Sequence, residues 1–185
     1  MGDESHPIDL NATAASLLGF LHGGDYSGYE LVGVADAVIG DFWSLTRSQV
    51  YRELAWLAHR GLIAAGETGP RARRRYRVTP AGRAAFTRWV TQPPGREQIR
   101  YPLLLTIAFG AFVGREQLLE FAADHRRVHT ERLAAYAELQ SEGAGGDPYA
   151  QATLAFGVHY ERAVLAWMDE LPALLAEAPL VDRRR

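Results

Sequence analysis

Arg71, Arg73, Arg74 and Arg75 crowd four guanidinium groups into five positions. At that density they repel one another unless phosphates or acids lie close by. Upstream, Arg47, Ser48 and Gln49 follow Thr46 in an order that opens a helix. Arginine can bond a guanine edge in bidentate fashion and glutamine an adenine edge, each worth about 1–3 kcal/mol of discrimination between bases. Phosphate neutralisation by one set and base reading by the other belong to a single polymer, double-stranded DNA.

Those residues need elements to hold them. Thr46 and Gln49 form a capping box, with the threonine hydroxyl taking the Gln49 backbone N–H while the glutamine amide reaches back to the cap. Val50, Leu54 and Leu57, with Ala58 beside Leu57, then give one buried helical stripe that Gly61 ends. Arg47, Ser48, Tyr51 and Arg52 fall mainly off that stripe, the surface a helix presents when it enters the major groove from its N-terminal end. Leu62–Ala64 and Tyr76–Val78 read as two short strands, with Gly66, Gly69 and Pro70 punctuating the loop between them. Phe42–Pro80 thus predicts a winged helix-turn-helix, the arginines lying at the wing tip or on its second strand. The cap accounts for Thr46, so a phosphate contact from it is secondary, and Gln49 divides between capping and base reading.

The whole-chain charge of −2 hides an uneven distribution. From Ser44 to Gln92 there are ten arginines against Glu53 and Glu67, a balance of +8, whereas from Pro93 onward ten arginines meet thirteen acids, a balance of −3. The 185 residues, 48% of them hydrophobic, suffice for one or two packed domains. Cysteine is absent, which excludes a disulfide framework and a thiolate metal site. No apolar run approaches the roughly 18–20 residues of a membrane span. The opening MGDESHPID is acidic and polar, unlike a secretory leader, so a cytoplasmic protein is expected.

Around the winged segment the pattern is helical, giving a mainly α fold with a small β-hairpin wing. A first helix is expected from Ile8 to His22. Ser27 caps a second that runs to Ile39, and Thr79 with Pro80 opens a third, in which Phe86, Trp89 and Val90 supply the packing face. Gln92–Gly95 separates an N-terminal DNA-binding domain, residues 8–92, from a C-terminal helical dimerisation domain, residues 93–182. Residues 1–7 read as disordered and 183–185 as a basic tail. Tyr101–Phe112 is apolar enough to be buried at a domain or subunit junction. Arg115–Glu142 carries Leu118, Phe121, Ala122, Val128, Leu133, Tyr136 and Leu139 at helical steps. After a flexible turn at 143–147, Pro148 opens a last helix whose stripe is Ala152, Phe156, Ala163, Trp167, Leu171 and Leu174, kinked near its end by Pro172. Two such long helices on one small chain cannot bury both faces within it, which predicts a homodimer.

In order along the chain, SLLGFLHGGDYSGYEL, FWSLTRSQVYRELAWLAHRGLI, RRYRVTPAGRAAF and IRYPLLLTIAFG resemble the PadR family of transcriptional regulators. They match its first helix and Gly-Tyr-Glu-Leu motif (Gly28–Leu31), its recognition helix, its wing with the Thr-Pro-x-Gly connection, and the helix opening its variable C-terminal domain. The resemblance implies that Tyr29 and Tyr51 contact the DNA backbone. It also implies that the protein is a homodimeric repressor on a pseudo-palindromic operator. Where the family often has Ser-x-Gly-x-x-Tyr-Pro, this chain has Ser48 and Arg52, which favour a regular helix and add a donor, so operator preference does not carry over.

Regulators of this kind often answer to a small aromatic ligand near the dimer interface, and Phe109, Phe112, Phe156, Tyr160 and Trp167 can line such a pocket; ordinary core packing is the competing reading. His125 and His129, four apart on a helix, offer an alternative metal-responsive regulator. No nucleophile constellation, phosphate-cradling loop or dinucleotide fingerprint argues for an enzyme, and no cofactor motif is present. A protein-interaction module that has lost DNA binding is opposed by the +8 segment.

Overall fold

The computed structural model describes residues 8–40, 42–68, 74–97, 99–141 and 146–177. The chain divides into two compact units, residues 1–97 and 98–185. In order, the first holds α1 (Ala12–Phe20), β1 (Tyr26–Ser27), α2 (Gly28–Ile39), α3 (Arg47–His59), β2 (Ile63–Thr68), β3 (Arg74–Val78) and α4 (Pro80–Val90). The second holds α5 (Pro102–Ala108), a 3-10 turn (Gly110–Phe112), α6 (Arg115–Ser141) and α7 (Pro148–Leu174).

Caps set the helix starts in the first unit. Asn11 accepts the Ala14 N–H, so α1 begins at Ala12 and not at Ile8, and it ends at Phe20, short of His22. Ser27 and Glu30 form a capping box on α2, as Thr46 and Gln49 do on α3. Thr79 caps α4, with Pro80 at its first position. Leu17, Leu18, Leu31, Val50, Leu54, Leu57 and Leu62 are fully buried where these helices meet. At about 2 kcal/mol per buried leucine, this cluster dominates the unit's stability. On α4, Phe86 and Trp89 pack against the core while Val90, expected beside them, is exposed.

The sheet has three strands in the order β1-β3-β2, all antiparallel. Both wing strands run longer than their apolar cores because the ladder continues through polar residues: Ile63 pairs with Val78, Ala65 with Tyr76 and Thr68 with Arg74, with an irregularity between Ala65 and Thr68. Sequence alone gives no sign of β1, whose two residues are strand only because Tyr26 and Ser27 lie across from Tyr76 and Arg75. Thr79 anchors the return: its N–H donates to the Leu62 carbonyl, and its hydroxyl approaches the Gly61 and Leu62 carbonyls at 2.8 and 3.0 Å. Gly82 then packs so closely that a Cβ there would sit 2.0 Å from the Leu62 carbonyl oxygen.

In the second unit α6 and α7 form an antiparallel pair, since residues meet in reverse order: Arg115 with Pro172, Arg126 with Asp169, His129 with Glu161, Tyr136 with Gly157. Leu103, Ala122, Met168 and Leu171 make its core. Of Tyr101–Phe112, expected at a domain or subunit junction, a single copy buries Leu103 and leaves Leu104, Leu105, Phe109 and Phe112 exposed, the last at 85%, because α5 is a short helix that turns one side inward. On α7 the buried stripe is Gly157, Val158, Glu161, Met168 and Leu171, while Phe156 and Leu174 face out. Pro172 lies inside the final turn of α7.

Candidate nucleic-acid interface

The N-termini of α2 and α3 gather the polar side chains singled out above. Thr46, Arg47, Ser48, Tyr51 and Arg52 are exposed on α3, and Tyr29 is exposed on the first turn of α2. The two helices are joined there by direct contact. The Arg47 guanidinium lies 5.4 Å from the centre of the Tyr29 ring, a cation–π pair. The Tyr51 ring lies over Gly28, where a Cβ would come within 2.7 Å of Tyr51 Cε1. Tyr29, Arg47 and Tyr51 therefore form one surface, at the ends of two helices whose free N–H groups favour anions.

Gln49 is half-buried, and its Oε1 is committed to the cap, taking the Thr46 N–H and hydroxyl at 3.0 Å each, while the Thr46 hydroxyl accepts the Gln49 N–H at 3.2 Å. A bidentate grip on adenine requires that oxygen, so Gln49 cannot read a base in this way without releasing the cap. Arg52 is also engaged: its Nη2 lies 3.2 Å from Glu53 Oε1, and Glu53 Oε2 in turn accepts from Asn11 Nδ2 at 3.2 Å. These residues edge a cleft of about 390 Å³ with Asp9, Leu10 and Trp56.

On the wing, Arg74 and Arg75 stand exposed on β3, while Arg71 and Arg73 lie outside the described residues. Arg75 Nη2 is 3.7 Å from Glu30 Oε1. The other oxygen of Glu30 accepts the Ser27 N–H and hydroxyl at 2.7 and 2.8 Å, so a single carboxylate caps α2 and tethers the wing strand. Glu30 and Gly28 have positioning roles that composition did not reveal. The Gly-Tyr-Glu-Leu string was the available signal, and its glycine and glutamate needed the partner elements to become meaningful.

The aromatic candidates of the second unit occupy separate places. Phe156 stacks on Tyr160 at 6.2 Å, Trp167 meets Tyr101 edge-on at 6.0 Å, and Phe109 and Phe112 are exposed. His129 is buried and spoken for: Nδ1 is bonded to Glu161 and Nε2 lies 3.0 Å from the Tyr101 hydroxyl. With both ring nitrogens bonded it has none to offer a metal shared with His125, and no group of three potential ligands gathers among the described residues. Nor, among those residues, is any helix long and apolar enough to cross a membrane.

Two family models match the chain: the transcriptional regulator PadR-like family over residues 17–88, and the virulence activator alpha C-terminal family over residues 99–176. The negative transcriptional regulator PadR of Bacillus subtilis is 24% identical over 177 residues, covering 86% of this chain and 95% of the relative. The solved structure of that PadR in complex with operator DNA superposes with a TM-score of 0.73 at 20% identity, covering 90% of this chain and 99% of the other. Its complex with p-coumaric acid gives 0.68 at 22%, covering 90% and 100%.

Proposed function

The chain belongs to the PadR-like family of transcriptional regulators, DNA-binding winged helix-turn-helix proteins and not enzymes, and on that premise we propose that it is a cytoplasmic homodimeric repressor whose hold on a pseudo-palindromic operator is released by a small aromatic effector. The observation that carries the DNA-binding geometry is the joined surface of Tyr29, Arg47 and Tyr51. Arg47 and Ser48 reach base edges there, while Tyr29, Tyr51 and, secondarily, Thr46 meet phosphates. Gln49 contributes chiefly by holding the cap. Arg52 reaches DNA only by leaving Glu53. Arg71, Arg73, Arg74 and Arg75 supply affinity that is largely blind to sequence.

Residues 8–92 are the DNA-binding part and 93–182 the dimerising part in this reading. Exposed apolar side chains on the C-terminal helices support pairing, which must set two copies of α3 about 34–36 Å apart, or a multiple of that distance, to match successive major grooves. The relative's complex with p-coumaric acid supports an aromatic acid as effector, with Phe109, Phe112, Phe156, Tyr160 and Trp167 as candidate lining.

The test is a gel shift on the DNA upstream of the protein's own gene, titrated with salt and with hydroxylated aromatic acids. Specific retardation that salt weakens steeply and an aromatic acid relieves is the expected result. Equal affinity for random DNA would remove the operator-specific reading.

A further inference from the structure

The second unit buries a polar cluster that its packing does not require. Glu161 has no solvent exposure and His129 only 3%, and they face each other across the α6–α7 pair. His129 continues the chain of hydrogen bonds to the hydroxyl of Tyr101, the residue that precedes α5. Each ring nitrogen of His129 thus has one polar partner, Glu161 at Nδ1 and the Tyr101 hydroxyl at Nε2. The phenol stays protonated: burial first, then the nearby Tyr160 and Glu161, push Tyr101 up to about 12, against the opposing pull of Arg132.

The Tyr101 ring is half-buried beside them. It meets the rings of His125 at 6.3 Å and Trp167 at 6.0 Å in T-shaped pairs, the His129 ring lies at 5.9 Å, and it packs on the core of Leu103, Ala122, Met168 and Leu171. An aromatic-lined seat with a ring nitrogen placed to hydrogen-bond a hydroxyl is a receptor for a phenol. The group that fills it stands at the junction between irregular chain and α5. Tyr101 has extended backbone angles and makes no side-chain cap, and no helix or strand forms among the described residues of 92–101. Meanwhile Glu161 Oε1 is buried with no hydrogen-bond partner among the described residues, so the site is not tuned for stability alone.

We propose that Tyr101 is a built-in ligand in a phenol-binding site formed by His125, His129, Glu161 and Trp167, and that a hydroxylated aromatic effector binds by displacing it. This rests on the reading of the chain as a ligand-responsive regulator and gives its effector an entry point: expelling Tyr101 releases the start of α5.

The experiment uses the full chain and p-cresol, which is the tyrosine side chain as a free molecule. By calorimetry, Tyr101→Gly binds p-cresol at least ~10-fold more tightly than the native chain does, and at least ~10-fold more tightly than toluene, which cannot pair His129. Tyr101→Phe keeps the ring and loses only the hydroxyl, which keeps the proposal testable if the glycine variant does not fold. With a weaker incumbent, p-cresol enters at a concentration about tenfold lower than in the native chain. A folded glycine variant that binds p-cresol no better than the native chain, or no better than toluene, overturns the site. So does a phenylalanine variant with unchanged p-cresol affinity. These measurements need no DNA. Failure of the unliganded native chain to retard its operator therefore counts against the regulator reading and leaves the site standing, whereas bound p-cresol without effect on operator affinity overturns the effector role.

Discussion

At the residue scale, the proposed DNA-reading surface depends on side chains that have other obligations, and substitutions can separate the two. Gln49 spends its oxygen on the cap of α3. Gln49→Glu preserves that acceptor, and glutamate is the residue a capping box favours, so thermal stability should stay within about 0.5 kcal/mol of native. The same change removes the amide donor and places a negative charge beside phosphates, so operator affinity should fall by about tenfold or more in a gel shift; unchanged affinity would take Gln49 out of the interface altogether. Gly28 shows the opposite division. A methyl group 2.7 Å from Tyr51 Cε1 has to push the ring off its seat, and Leu54 Cδ1, 3.2 Å from the same methyl, crowds it further. Gly28→Ala should cost about 1–3 kcal/mol in chemical denaturation and should weaken operator binding more than Tyr51→Phe does, since the phenylalanine variant keeps the ring in place. Equal effects from the two would mean that the position of the ring does not matter.

At the element scale, the wing is tied to α2 by Glu30, and its proposed role toward DNA is electrostatic. Replacing Arg73 and Arg74 with alanine should lower affinity for all DNA alike and reduce the slope of log affinity against log salt by about two. A slope identical to native would remove the wing from the interface. This scale also shows what a reader of the chain can and cannot see. The caps at Ser27, Thr46 and Thr79 are legible because each hydroxyl has its signal within three residues, Glu30 and Gln49 for the first two and Pro80 for the third. The strand at Tyr26–Ser27 is not, because its hydrogen bonds lead to residues about fifty positions away. The pairing of His129 with Glu161 is hidden in the same way. An apolar stripe predicts a helix interface but says nothing of a carboxylate placed within it, and the i,i+4 spacing of His125 and His129 suggests a metal site that Glu161 and Tyr101 pre-empt. Removing His129 should expose that dependence: His129→Ala leaves Glu161 buried without its partner and should cost about 3–5 kcal/mol of unfolding free energy. A loss under 1 kcal/mol would mean that water or Arg132 takes over the carboxylate.

At the scale of the whole molecule, the unexplained quantity is exposed apolar surface. Leu104, Leu105, Phe109 and Phe112 stand out from the α5 segment, and Phe121 and Val128 stand out from α6, each one position before a buried residue. A monomer gains nothing by exposing so many large apolar groups in one unit, whereas a second copy of the chain can cover them. The two long helices already pointed to a second copy, and Tyr101–Phe112, read from its apolar run as belonging to a domain or subunit junction, keeps most of its side chains at the surface of a single copy. Leu105→Glu combined with Phe112→Glu puts two carboxylates on that surface and leaves Leu103, the buried residue of α5, in place. If the native chain is the proposed dimer, sedimentation should then find a folded monomer at concentrations where the native chain is paired. Operator affinity should fall about 100-fold or more, because two reading heads no longer bind as one and the effective concentration of the second is lost. A variant that stays dimeric would move the interface to the faces of α6 and α7 beyond α5. A monomer with native operator affinity would mean that one copy of α3 and one wing suffice, and the twofold operator would go with it.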